Sequence, residues 1–83
     1  MPVADRQTLK ESLRVYWQEL LEIDHVPDDA FFIELGGNSL LATVIASRLE
    51  EEHRVQASLE DIFLHSLEEL AAVCARHAGK DHQ

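Results

Sequence analysis

Gly36-Gly37-Asn38-Ser39-Leu40-Leu41 leads into an apolar run reaching Ala46 with the spacing of a helix, and its two glycines let the chain bend where a side chain would obstruct it. Ser39 therefore falls at a helix N-terminus. Backbone N–H groups there lack intrahelical partners and the helix dipole is positive, so a hydroxyl in this position is suited to carry or face a phosphate. A plainer reading of the same residues makes Asn38 or Ser39 only an N-cap.

Downstream, the pattern predicts a second helix from Ser39 to about Glu52, with Ala42, Ile45, Ala46 and Leu49 forming one inward stripe. Leu40, Leu41 and Val44 are left over beside Ser39, where an apolar cluster reads as a docking patch; Leu41 is equally able to pack inward. At the far end, Glu50-Glu51-Glu52 places negative charge against the negative end of the dipole. Such a run is usually a solvated face, and here Glu50 and Glu51 also extend an acidic surface toward a basic partner.

Upstream, Leu9, Leu13, Tyr16/Trp17 and Leu20 mark one face of a first helix running roughly to Ile23, opened by Asp5 or by Thr8 with Glu11. Tyr16 and Trp17 read as core or core-edge packing. Asp24-His25-Val26-Pro27-Asp28-Asp29 ends the helix in a loop, since the proline bars its continuation. Phe31, Phe32, Ile33 and Leu35 are too apolar for a free linker and are expected to tuck under the helices, holding the Gly-Gly turn in place.

Beyond His53-Arg54, Ser58-Leu59-Glu60-Asp61 has the form of a capping box for a short third helix through Ile62 and Phe63. Ser66-Leu67-Glu68-Glu69 opens a fourth, with Leu67, Leu70, Ala71 and Cys74 on one face and a stop near Ala78-Gly79. The predicted fold is all-α, a bundle of three main helices plus one short helix in a single domain spanning 1–83, with an ordered core of about 5–78 and a frayed tail from Lys80.

Composition narrows the function classes. A chain of 83 residues builds one modest core and no deep catalytic pocket. Sixteen acidic residues against seven basic ones, a formal charge of −9, argue against nucleic acid or an anionic membrane and favour protein partners with basic patches. Cys74 is the sole cysteine, which excludes an intrachain disulfide and points to a reducing cytoplasm; it reads as a small buried hydrophobe. No stretch is long and apolar enough to span a bilayer.

Ser39 lacks the second glycine and the leading strand of a G-x-S-x-G nucleophile elbow, so no catalytic residue is assigned. His25, His53, His65, His77 and His82 show no ligand spacing, and no metal is implied. Gly36-Gly37 belongs to no G-x-x-x-x-G-K-[ST] phosphate loop.

Taken together, the helix order and the run Phe32-Ile33-Glu34-Leu35-Gly36-Gly37-Asn38-Ser39-Leu40-Leu41-Ala42-Thr43 resemble the phosphopantetheine-dependent carrier proteins over nearly the whole chain. The run is most similar to peptidyl carrier domains of nonribosomal peptide synthesis, whose pattern is close to F-F-E-L-G-G-x-S-L-L-A-T. Fatty-acid acyl carriers more often have Asp where this chain has Asn38. The resemblance implies an acyl-carrier-like four-helix bundle in which Ser39 receives a covalent 4'-phosphopantetheine arm from coenzyme A, and an acyl or aminoacyl group rides on the arm's thiol as a thioester.

The implied partners are a phosphopantetheinyl transferase, a loading enzyme such as an adenylation domain, and downstream condensation, tailoring or thioesterase enzymes, meeting a monomeric, non-catalytic carrier. An acyl carrier of a polyketide or hybrid pathway is the near alternative. A small helical interaction module, with Ser39 only a cap, is the alternative from another class. Three departures from the family pattern fall on the third helix and its flanking turns: His53-Arg54 stands where Phe-Gly is frequent and Ser58 where Pro is frequent, and the stretch after Phe63 is one residue short and lacks a proline. The Met1-Pro2 start and the acidity suggest a free-standing carrier.

Overall fold

A computed structural model describes residues 5–80, with side chains through residue 77; Met1–Ala4 and the expected frayed tail beyond Lys80 lie outside the described residues. Four helices follow one another, α1 (Arg6–Leu21), α2 (Ser39–His53), α3 (Leu59–Leu64) and α4 (Leu67–Lys80), with a short 3-10 turn over Ile33–Leu35 between the first two. The described residues hold no strand, only an isolated antiparallel bridge between Phe31 and Ser66. The bundle of three longer helices and one short one is the architecture expected.

Each helix start is encoded locally. Asp5 caps α1 by accepting from the Thr8 N–H at 2.8 Å, and that bond holds the Asp5 carboxyl below its ordinary pKa. Ser58 and Asp61 exchange the two hydrogen bonds of a capping box, so α3 forms despite the departures clustered around it. Ser66 and Glu69 do the same for α4, the Glu69 N–H donating to Ser66 Oγ and the Ser66 N–H to Glu69 Oε1. Backbone helix continues to Lys80, past the Ala78-Gly79 stop that the glycine suggested.

Helix ends are less legible. The first helix stops at Leu21, two residues before the expected Ile23, because Glu22 turns into the left-handed region at φ 56 and the Ile23 N–H closes back on Gln18 O at 3.1 Å. Ile23 still packs on the core, so its place in the apolar pattern reflects the hydrophobic contact that follows such a closure. Arg54 ends α2 the same way at φ 57, with its N–H directed to the carbonyls of Leu49 and Glu50. A side chain in this region costs on the order of 1–2 kcal/mol that glycine does not incur. Arg54→Gly is therefore expected to raise stability by about 0.5–1 kcal/mol after glycine's greater chain entropy is subtracted, measured as the shift in urea midpoint at unchanged slope.

One core joins all four helices. Leu9, Leu13 and Trp17 of α1, Ala42, Ile45 and Leu49 of α2, Ile62 of α3, and Leu67, Leu70, Ala71 and Cys74 of α4 are fully buried. Leu13, Ile45 and Leu70 share it, as their periodicities require. Burial pushes the Cys74 thiol up to about 12, with the charge of Asp61 adding to the effect, so the thiol stays protonated and unreactive.

The loop between α1 and α2 is tied down from both sides. Lys10 pairs with Asp28 at 3.1 Å, Arg14 reaches the other Asp28 oxygen, and Arg14 Nε donates to Val26 O. Lys10, and then Arg14, hold the Asp28 carboxyl below its usual range. From α4, the Leu67 N–H donates to Ala30 O and the Glu68 N–H to Asp28 O, both at 2.9 Å. A second tie joins α1 to the end of α2: the Tyr16 hydroxyl donates to Glu52, Arg48 stacks 5.5 Å over the Tyr16 ring, and His53 meets Ser12 Oγ at 2.9 Å. Burial first, and the Glu52 contact second, raise the Tyr16 pKa. Glu52 is thus engaged, unlike the Glu50 and Glu51 beside it, which are exposed without an ion pair among the described residues.

Candidate functional site

The loop delivers the chain to Ser39 through a fixed aromatic anchor. Phe32 is fully buried, its ring 5.2 Å from that of Trp17 and 6.1 Å from that of Phe63. Leu35 follows it inward, but Ile33, expected to tuck under the helices, is 60% exposed. The reason is the 3-10 geometry of Ile33–Leu35. Side chains three apart eclipse in such a turn, so Phe32 and Leu35 share the inner side and Ile33 faces out.

The two glycines serve different ends. Gly36 adopts φ 102, a conformation that side chains rarely accept, with open space where a Cβ would stand. Gly37 needs no such conformation. A Cβ there would fall well inside van der Waals contact with Cγ, Cδ2 and Cε2 of Phe32, so this position is glycine because the ring lies against its backbone. The Gly37 N–H also donates to Phe32 O at 3.0 Å.

Asn38 then takes extended backbone and caps α2, its side-chain oxygen accepting from the Leu41 N–H at 2.9 Å. Of the two residues that the plainer reading offered as the cap, the structure assigns the role to Asn38. Ser39 is the first helical residue and is exposed, and its hydroxyl is engaged by no hydrogen bond among the described residues. Its carbonyl accepts from Thr43 Oγ1 at 2.9 Å, which secures the first turn from within. The first turn of α2 carries no acidic residue, in contrast to those of α3 and α4, so nothing there opposes an anion.

Around the serine, the three leftover apolar residues part company. Leu40 is 73% exposed, Val44 is half-buried without packing on the core, and Leu41 turns inward, half-buried against the core cluster. Leu40 and Val44, one helical turn apart, share the flank that remains. Glu50 and Glu51 sit at the opposite end of α2, roughly 17 Å along its axis from Ser39, so the helix does not bring them to the serine. Leu59 and Leu64, exposed on α3, escaped the periodicity because a six-residue helix is too short to display one.

Among the described residues no group of histidine, cysteine, aspartate or glutamate is placed to hold a metal. Ser39 is exposed, its hydroxyl has no hydrogen-bond partner among the described residues, and the turn that leads to it is braced by Phe32 against Gly37.

Residues 11–74 match the family described as phosphopantetheine attachment site. The chain is 39% identical to a plipastatin synthase subunit of Bacillus subtilis over 78 residues, 94% of this chain and 2% of that protein. It is 36% identical to gramicidin S synthase 2 of Brevibacillus brevis over 64 residues, 77% of this chain and 1% of that protein. Nonribosomal peptide synthetase 5 of Gibberella zeae is 29% identical over 86 residues, covering 96% of this chain and 1% of that protein. The chain therefore spans only 1–2% of the length of these relatives.

Proposed function

Because the chain belongs to the phosphopantetheine attachment family, whose members carry that group covalently and are themselves non-catalytic, we propose that Ser39 is the attachment residue. On this reading the domain is a peptidyl carrier of nonribosomal peptide synthesis. The observation that carries the assignment is the division of roles at the start of α2, where Asn38 caps the helix and leaves an exposed Ser39 hydroxyl with no structural partner. The bound group supplies a thiol on which an acyl or aminoacyl cargo is held as a thioester. The chain's own residues supply position: Gly36 and Phe32 set the turn, Asn38 ends it, and the helix N-terminus faces the phosphate with unopposed positive dipole.

The relatives' names and the Gly-Gly-Asn-Ser-Leu-Leu run support a peptide pathway over a fatty-acid one. On this reading the cargo is held on the arm rather than in a site of the domain's own. Selection of cargo then lies with the partners: a transferase that installs the arm, an adenylating enzyme that loads it, and condensing, tailoring or thioesterase enzymes that unload it. Intact mass after incubation with coenzyme A and a phosphopantetheinyl transferase of broad specificity tests the attachment.

The flank formed by exposed Leu40 and half-buried Val44 suits contacts that must form and release within one cycle, since small patches sustain transient rather than obligate binding. Val44→Glu is expected to leave stability within about 1 kcal/mol of the parent, because Val44 is off the core, while slowing loading by a partner enzyme through a charge desolvated in the contact. Melting temperature measured beside partner turnover separates the two. A large fall in melting temperature would place Val44 in the core, and unchanged turnover would remove this flank from the interface.

Among the described residues, no helix is long and apolar enough to cross a membrane.

A further inference from the structure

We infer that Phe32 is a positioning residue for the modification of Ser39, acting through the backbone of Gly37; the inference rests on Ser39 being the attachment residue. The ring cannot retreat. It packs against the Trp17 and Phe63 rings, tilted to it at 50° and 47°, and Trp17 is itself fully buried. In front, the ring meets Gly37 so closely that the smallest side chain would overlap it. The Phe32 carbonyl holds the same residue by accepting its N–H, and accepts the Leu35 N–H at 3.2 Å as well. Ring and carbonyl thus fix both the plane and the height of the Gly37 peptide.

From Gly37 to the serine there is only Asn38, whose extended backbone and side-chain cap leave little freedom of their own. The position of the Ser39 hydroxyl relative to the body of the domain is therefore set where the ring meets the glycine. At Gly36 a Cβ would meet only open space, so no second contact of this kind confines the turn there.

This placement bears on the transfer reaction. A bond forms between Ser39 Oγ and the phosphorus that bears the pantetheine, the diphosphate bond of coenzyme A breaks, adenosine 3',5'-bisphosphate leaves, and the serine proton passes to the transferase's base or to water. The attacking oxygen must lie in line with the breaking bond, and a misplacement of about 1 Å can cost on the order of a hundredfold in rate. Holding Gly37 against a ring that cannot move supplies that alignment before the enzyme arrives.

The test is a pair of compensating substitutions assayed as transferase substrates with coenzyme A, at a temperature where circular dichroism shows every variant folded. Gly37→Ala and Phe32→Val are each expected to lower kcat/KM about tenfold, chiefly in kcat, and the double variant to recover most of the loss, since the new methyl enters the space that the ring vacates. Phe32→Leu replaces Phe32→Val if the latter does not fold. Leu70→Val, a core change on α4, serves as the control and is expected to stay within about twofold of the parent however far its melting temperature falls. Parent-like rates for folded Gly37→Ala would overturn the inference. So would a double variant as slow as Gly37→Ala alone, because the enzyme would then require a bare glycine for its own approach. An arm appearing on Ser39→Ala, read by mass before any rate, would instead overturn the attachment assignment.

Discussion

Ser39→Ala protein, incubated with coenzyme A and a phosphopantetheinyl transferase, is expected to show the unmodified mass only, while the parent converts to the heavier form. The difference is all or none, since alanine offers no acceptor oxygen. Stability should hardly change. A capping serine replaced by alanine loses about 1 kcal/mol, but here the capping bond to the Leu41 N–H comes from Asn38, and the Ser39 hydroxyl has no partner among the described residues. Alanine is also the better helix former, by a few tenths of a kcal/mol. Superimposable circular dichroism spectra and melting temperatures within a degree or two, together with complete loss of the mass shift, are the expected pair of results. Retention of the mass shift would move the attachment site elsewhere. Unfolding of the variant would mean that the serine side chain supports the helix after all.

Asn38→Ala makes the complementary comparison in kind: the cap is lost and the acceptor is kept. The contrast isolates the two roles that adjacent residues divide at this helix start.

Trp17→Ala is expected to cost about 3–5 kcal/mol, the range for removing a large buried aromatic. Trp17 is fully buried and packs at a tilt against Phe32, which in turn lies against Gly37, so the loss falls on the support of the site as well as on the core. Small domains have total stabilities near the lower end of roughly 5–15 kcal/mol, so the variant should be substantially unfolded or marginal near ambient temperature. Urea titration followed by helical circular dichroism measures it.

A second substitution at the same position tests an unusual feature of this side chain. The indole N–H is buried with no hydrogen-bond partner among the described residues, and an unpaired buried donor costs about 1–3 kcal/mol. Trp17→Phe removes that donor together with part of the ring, so lost packing and relieved desolvation oppose one another. Its net cost is expected to stay below about 1.5 kcal/mol, well under that of alanine. If phenylalanine proved as costly as alanine, the indole N–H would have to be satisfied in solution, for example by a buried water.

Helix positions and the core faces were legible because the information is local. Leu9, Leu13 and Trp17, or Ala42, Ile45 and Leu49, repeat at helical spacing, and any packing of such helices must bury those residues. Caps were legible for the same reason: Ser58 with Asp61, and Ser66 with Glu69, meet within one turn. The end of α1 at Glu22 was not, because that residue is not the glycine that announces a left-handed close; α2, whose last residue His53 is one past the end expected at about Glu52, closes in the same left-handed way at Arg54. Tertiary packing of Ile23 and Val55 just beyond them supports the conformation.

That this chain is a helical carrier-like domain with Ser39 at the head of its second helix follows from its residues alone, because periodicity, capping and the Gly-Gly-Asn-Ser-Leu-Leu run all act over a few positions. The same residues do not separate Asn38 from Ser39 as the cap, since both types serve. They do not say which of Phe31, Phe32, Ile33 and Leu35 points inward, because the turn has no geometry until the helices around it are packed. Nor do they distinguish the reasons for two adjacent glycines. The packed fold resolves all three: Asn38 takes the cap, Ile33 faces out, and the glycines divide, Gly36 being required by its own backbone angle and Gly37 by the ring of Phe32. That last contact is held in place by Trp17 and Phe63, from helices on either side of it in the chain. Close approach between a backbone and a side chain depends on the packing of everything behind that side chain, and no local pattern carries it.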